Sequence, residues 1–501
     1  MSPEIHNLYP YLSHKERDEI LTLFEGKQSV DTLRRAIAHI KGFAVSEQAI
    51  LESLVISYLD EGDSQRAESL AREFLYKSPN AHTHNLILRC MLSSTRNIQQ
   101  EFYEESRNWA KLYETETTRS PSPSDNRDRD TAGKLSIGLF CNYANTVFGE
   151  MAIFPMLQNF AEAGIDVFLY NFSLSELHLD GVHLKNCDQG NIFIHNVKNS
   201  TLEQLKQKVL DDQIEILFDL NGRLREDNRL DVFFHRPAPV QINYFNLTGT
   251  SGMKSFDYVI ADTVTLPQED EKFYTERVIR LPCDVNGAYQ MLRTTAIGSL
   301  PYQKKGYITF ASFNAFFKIN DPLLNLWGRI LREVPESRII IKNQEVSRQR
   351  VRKKIYAAFS AHGIAKDRVI LEGYTPMEIM KVRYAAVDIA LDTFPYSGGS
   401  TTLNALWQGV PVIALQGRGW RCNTAASMLT SAGLEGLIVH STEEYLQKAV
   451  HLATDTDLLQ AVREHIKTNI QNCPYFRPDI VYPQIAAELQ KVRPGKKTSP
   501  A

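Results

Sequence analysis

A run of small and hydroxylated residues, Gly398-Gly399-Ser400-Thr401-Thr402, follows the apolar segment Ile389-Ala390-Leu391 and precedes a helical stretch beginning near Leu403. Glycines let backbone N–H groups approach an anion, hydroxyls add donors, and a helix N-terminus adds positive potential, so this layout predicts phosphate binding. It is not a P-loop, because no Gly-Lys-Ser/Thr follows, and it is not the dinucleotide G-x-G-x-x-G. Read alone, it fits a Ser/Thr N-cap on an ordinary helix equally well. Two cations bear on the choice. Lys318 lies in the loop after Tyr307-Ile308-Thr309-Phe310, where a lysine can neutralise a diphosphate; by itself it reads as a solvated lysine. Arg383, on the helix opened by Thr375-Pro376, carries a fork that holds a phosphate or pairs with an acid. Glu150 is the ionisable group near the end of another predicted strand. It serves as a general base if partly desolvated, or as a helix-start carboxylate favoured by the dipole.

These residues need elements to hold them. Leu135–Phe140 reads as a buried strand, 151–164 as the helix after it, and 166–170 as a second strand. Strands at 192–194, 215–219 and 257–261, interleaved with helical stretches such as 201–211, predict a parallel sheet covered by helices. A second series runs through strands 307–310, 338–342, 369–371, 389–391 and 411–415, with helices at 321–333, 345–362, 376–386, 401–408 and 421–432. Ligands collect outside the carboxyl ends of such strands, which places the loops after 310 and 391 at the site. Upstream, YLDEGDSQRAESLAREFLYKSPNA predicts a helical hairpin resembling one tetratricopeptide unit, with Gly62-Asp63 at its turn and Ala67 and Ala71 at the helix contact. Such a unit cannot bury its face alone, so the flanking stretches 14–42 and 81–114 are expected to complete its core. Residues 116–133 carry no apolar periodicity and read as a flexible linker.

The domain division is therefore 1–115 helical, 116–133 linker, 134–300 and 301–475 as two Rossmann-like α/β lobes, and 476–501 as a C-terminal helix and tail. Composition agrees with a globular chain: of 501 residues, 43% are hydrophobic and 23% charged. The net charge of −3 offers no general field for nucleic acid, and no stretch is long and apolar enough to predict a membrane span. The six cysteines are scattered without a C-x-x-C pair, so neither a structural zinc nor a redox pair is predicted, and a cytoplasmic setting is expected.

Three segments, RPAPVQINYFNLTGTSGMKSFDYVIAD, FASFNAFFKINDPLLNLWGRILREVPESRIIIKN and LDTFPYSGGSTTLNALWQGVPVIAL, resemble the protein O-linked N-acetylglucosaminyltransferase family over residues 134–490. The resemblance implies two Rossmann-like lobes of the GT-B type behind a tetratricopeptide-like domain, a UDP-sugar donor, inversion at the anomeric carbon, and no metal or other cofactor. Carried over by position, it implies Lys318 on the diphosphate, Ser400 and Thr401 on phosphate oxygens, Arg383 beside the nucleotide, and Tyr374 and Thr375 bordering the uracil. Asn404 stands where the family often has an Asp for the ribose hydroxyls, and keeps hydrogen bonding without charge. Asn246 replaces a glycine expected near the sugar, and Asn142–Glu150 lacks the family's usual histidine, leaving the base unassigned.

The function expected first is transfer of N-acetylglucosamine from its UDP donor to Ser or Thr of a protein presented by the helical domain. Two alternatives stand beside it: UDP-glucose-dependent glucosylation of Asn, and a catalytically idle UDP-binding interaction protein. The Gly249-Thr250-Ser251-Gly252 loop favours the O-linked branch, and the missing histidine motivates the idle reading.

Overall fold

The computed structural model describes residues 47–114, 133–173, 191–223, 228–245, 248–283, 285, 287–291 and 297–494, with isolated positions before residue 23. All of the linker expected at 116–133 except Gly133, most of 14–42, Asn246, and the tail beyond 494 lie outside the described residues.

Four helices come first: α1 (Glu47–Asp60), α2 (Ser64–Lys77), α3 (Ala81–Leu92) and α4 (Gln99–Tyr113). Gly62 turns the chain between α1 and α2 with φ of +71°, and the Asp63 carboxylate accepts from the Arg66 N–H at 3.1 Å to cap α2. Ala67 and Ala71 are fully buried, and their small side chains let α2 lie close to its neighbours. Asn80 caps α3 in the same way through the Thr83 N–H.

The first lobe contains β1 (Ser136–Cys141), α5 (Val147–Glu162), β2 (Asp166–Asn171), β3 (Ile192–Asn196), α6 (Leu202–Asp211), β4 (Ile216–Asp219), α7 (Leu230–Phe234), β5 (Val240–Asn243), β6 (Tyr258–Ala261) and β7 (Arg277–Arg280). Its strands are parallel in the order β3-β2-β1-β4-β5-β6-β7. Strands β1 and β4 are buried nearly end to end, as strands covered by helices on both faces must be.

The second lobe continues with α8 (Pro301–Lys305), β8 (Thr309–Ser312), α9 (Asp321–Glu333), β9 (Arg338–Lys342), α10 (Gln349–Ser360), β10 (Val369–Glu372), α11 (Met377–Arg383), β11 (Ile389–Leu391), α12 (Ser400–Trp407), β12 (Val412–Leu415), α13 (Trp420–Ser431), β13 (Ile438–Val439), α14 (Thr442–Thr454) and α15 (Thr456–Asn469). Strand order is β10-β9-β8-β11-β12-β13, again parallel. The order reverses between β8 and β11, which opens a crevice at their carboxyl ends. Lys318 follows β8, and Asp392–Thr401 follow β11.

A last helix, α16 (Pro478–Val492), returns to the first lobe. Tyr482 donates to the Ala288 carbonyl at 2.8 Å and packs edge-on against Phe160 of α5. Arg493 pairs with Glu215 at 2.8 Å. The helical layer touches both lobes. Glu114 accepts the N–H groups of Lys254 and Ser255 at 3.0 and 2.8 Å. On the other side, buried Arg348 of the second lobe donates to Asp18 and Glu61 at 2.8 and 2.9 Å.

Candidate active site between the lobes

A cavity of about 370 Å³ lies between the two lobes. The second lobe lines it with Asn314, Ala315, Lys318, Tyr396, Ser397, Gly399, Ser400, Thr401, Trp420, Thr424 and Met428, the first with Phe148, Tyr244, Phe245, Thr248, Ile260 and Tyr289.

Lys318 ends a short 3-10 turn, Phe316–Lys318. Its Nζ donates to the Ser397 carbonyl at 2.8 Å and stands 4.1 Å from the centre of the Tyr396 ring. Loss of water around the ammonium pushes its pKa down to about 8, with Asp392 pulling the other way. Asp392 is buried under the glycine loop; its Oδ1 accepts from the Gly398 N–H at 2.8 Å and from Asn314 Nδ2 at 3.4 Å. Burial raises its pKa to about 6 against the pull of Lys318. Asn314 also accepts from Thr401 Oγ1 at 2.9 Å, so one amide ties the loop after β8 to the start of α12.

The two glycines have different reasons. A Cβ on Gly398 would stand 2.5 Å from Thr402 Oγ1 and 2.6 Å from Asp392 Oδ1, so the loop closes over the carboxylate only without one. A Cβ on Gly399 would meet nothing within 4 Å, because that position faces open space. Gly399 is the N-cap of α12, and no side chain caps this helix. The Ser/Thr cap that is the ordinary explanation of such a run is therefore not formed. Uncapped N–H groups face a cavity into which a buried-edge lysine is aimed, which is an arrangement for an anion.

The remaining expected residues are distributed as follows. Ser400 and Thr401 line the cavity. Thr402 and Asn404 are buried beneath it, and their Oγ1 and Oδ1 atoms, like Asp392 Oδ2, have no hydrogen-bond partner. The Asn404 Nδ2 donates back to the Ser400 carbonyl at 2.7 Å. Arg383 is outside the cavity lining and is held by Glu372 through contacts of 2.5 to 2.9 Å, so its fork is already occupied by an acid. Tyr374 is 75% exposed, and Thr375 Oγ1 is buried without a partner; neither lines the cavity. Glu150 is exposed on the first turn of α5 and is not among the lining residues. Among the described lining residues there is no carboxylate and no imidazole.

Sequence reasoning did not single out the first-lobe wall. Phe148, Phe245 and Tyr289 form a ring cluster with centroid separations of 5.7 to 6.1 Å. Phe245 adopts φ of +63°, a left-handed conformation unfavourable for an aromatic residue, which holds its ring in the cavity wall. The adjacent aromatic pair Tyr244-Phe245 was the available signal. The glycines of the 249–252 loop answer to packing. A Cβ on Gly249 would meet Phe102 at 2.7 Å, and one on Gly252, where φ is +72°, would meet the Ser106 backbone at 2.4 Å. They let α4 dock.

The family described as glycosyl transferase family 41 matches residues 116–293 and 288–483. The probable UDP-N-acetylglucosamine–peptide N-acetylglucosaminyltransferase SPINDLY of Solanum lycopersicum is 30% identical over 277 residues, 54% of this chain and 29% of that protein. The probable UDP-N-acetylglucosamine–peptide N-acetylglucosaminyltransferase SEC of Arabidopsis thaliana is 31% identical over 277 residues, 53% of this chain and 28% of its own. The alignments thus span less than a third of these relatives. A mutant of the Thermobaculum terrenum O-GlcNAc transferase superposes with a TM-score of 0.77 at 25% identity, covering 96% of this chain and 90% of that one.

Proposed function

The chain belongs to glycosyl transferase family 41, and from that premise we propose that the inter-lobe cavity binds a UDP-sugar and passes the sugar, N-acetylglucosamine foremost, to Ser or Thr hydroxyls of a protein. The observation that carries this reading is Lys318 directed onto the loop that opens the uncapped N-terminus of α12. Departure of UDP develops negative charge on the diphosphate. A lysine already stripped of water, the N–H groups of α12, and the hydroxyls of Ser400 and Thr401 stabilise that charge without reorganising. Those groups supply the role a bound cation would play, and we propose that transfer proceeds without a metal.

The sugar then lies against the aromatic wall, with the leaving group on the opposite face. An acceptor entering from that wall attacks opposite the departing phosphate, and a single displacement inverts the anomeric carbon. The orphaned Asn404 Oδ1 and Thr402 Oγ1 are hydrogen-bonding capacity reserved beneath the nucleotide end. Protein acceptors are supported by the descriptions of the relatives and by the helical layer lying over both lobes, which we propose presents the acceptor.

The test is calorimetric titration with UDP, followed by intact-mass measurement after incubation with UDP-N-acetylglucosamine or UDP-glucose and candidate acceptor proteins. Added hexosamine mass mapped by fragmentation to Ser or Thr is the expected result. Failure to transfer from any UDP-sugar would sink the reading, and modification of Asn would redirect it.

A further inference from the structure

The helical layer is joined to the second lobe by a buried cation. Arg421, in the first turn of α13, is 4% exposed. Its guanidinium donates to four backbone carbonyls at and beyond the C-terminus of α3: Leu92 at 2.5 Å, Arg96 at 2.6 Å, Ser94 at 2.7 Å and Met91 at 3.4 Å. The end of a helix presents carbonyls without intrahelical partners and a partial negative charge, so a guanidinium from another domain is a matched cap.

The same residue holds the donor loop by its other end. The Arg421 carbonyl accepts the Ser397 N–H at 2.8 Å and the Ser397 hydroxyl at 3.1 Å. The Ser397 carbonyl in turn accepts Lys318 Nζ at 2.8 Å. An unbroken chain of hydrogen bonds therefore runs from the carbonyls around α3 through Arg421 and Ser397 to Lys318. A second contact of the helical layer falls beside Lys318: the Gly62 turn lies so close to the next residue, Ile319, that a Cβ on Gly62 would stand 2.5 Å from the Ile319 carbonyl oxygen.

We propose that Arg421 is a positioning residue through which the docked helical layer sets the diphosphate cradle, with the Gly62 turn as a second support. This rests on the cavity being the donor site. The layer that would meet a protein acceptor then also fixes the group that grips the donor, so displacing the layer loosens the donor grip at a distance.

The experiment compares the full-length wild type with Arg421→Met, Lys318→Ala, the double variant and Gly62→Ala, using hydrogen exchange without nucleotide and calorimetric titration with UDP. Arg421→Met is expected to speed amide exchange across 397–402 by about tenfold and to weaken UDP by about tenfold. In the Lys318→Ala background most of that UDP effect should vanish, a non-additivity that general destabilisation would not produce. Gly62→Ala, should Arg421→Met fail to fold, is expected to raise exchange across 316–320 and weaken UDP. Unchanged exchange, additive losses, or faster exchange with unaltered UDP affinity would overturn the positioning role. A wild type that binds no UDP would refute the donor reading itself, an outcome distinct from a wild type that binds UDP and an Arg421→Met variant that binds it equally well.

Discussion

The two faces of the inter-lobe cavity are built on different physics. The second-lobe face carries a polar, over-determined network: Lys318, Asn314 and Ser397, with Asp392 buried behind them, hold one another or the loop through hydrogen bonds. The first-lobe face is a set of rings, Phe148, Phe245 and Tyr289, that fix shape and exclude water without charge. A diphosphate needs the same grip whatever sugar it carries, whereas a sugar and an acceptor are distinguished by shape. Under the function proposed above, rigid charge on one face and replaceable contour on the other would let a single scaffold keep its nucleotide while changing what it transfers.

The sharpest way to break this contrast is Lys318→Ala. Removing a charge-assisted contact is expected to cost about 2 kcal/mol, roughly thirtyfold in UDP dissociation constant by calorimetry. Unchanged affinity would mean that the polar face does not bind the diphosphate. Gly398→Ala should come next, at about tenfold, because its Cβ collides with Asp392 and Thr402 and the loop must shift; thermal denaturation should also fall by several degrees. Gly399→Ala separates the two consequences, since its Cβ enters open space and leaves melting unchanged while obstructing the nucleotide.

Acidity offers a third probe. Burial lowers the Lys318 pKa to about 8, and a bound diphosphate favours the protonated amine, so binding takes up a proton above that value. UDP affinity should be level from pH 7 to about 8 and then weaken by up to roughly tenfold per pH unit, until the higher pKa of the complex is reached. In Lys318→Ala that decline should disappear. The smallest effect on nucleotide belongs to the aromatic face. Tyr289→Ala is expected to change UDP affinity by less than about twofold while lowering kcat/KM for the UDP-sugar by about tenfold, if the sugar lies against this ring as proposed above. A loss of UDP binding equal to that of Lys318→Ala would erase the distinction between the faces.

Much of the scaffold is legible in periodicity: strands 338–342 and 389–391 and the helix 321–333 fall where apolar runs place them. Val240–Asn243 and Arg277–Arg280 were not read as strands, because four-residue segments with alternating polar groups carry too little pattern. The Gly398–Thr402 loop was readable as a candidate because its glycines and hydroxyls are concentrated in five consecutive residues. Arg383 illustrates the limit. A guanidinium reads the same beside a phosphate or a carboxylate, and only the fold brings Glu372 within 2.9 Å of it. The aromatic wall was hidden for a related reason: Phe148, Phe245 and Tyr289 are ordinary apolar residues until the start of α5 and two separate loops are brought together.

Helix α16 has a consequence for how the molecule is made. Tyr482, which closes on the Ala288 carbonyl, is synthesised 194 positions after it. As the chain leaves a ribosome, the entire second lobe therefore emerges before the first lobe receives its last packing partner, and Phe160 waits with one side uncovered. The lobes are separate in architecture yet not in biosynthesis. An expression fragment ending after the second sheet would release two nearly complete domains, with the earlier one missing a piece of its core.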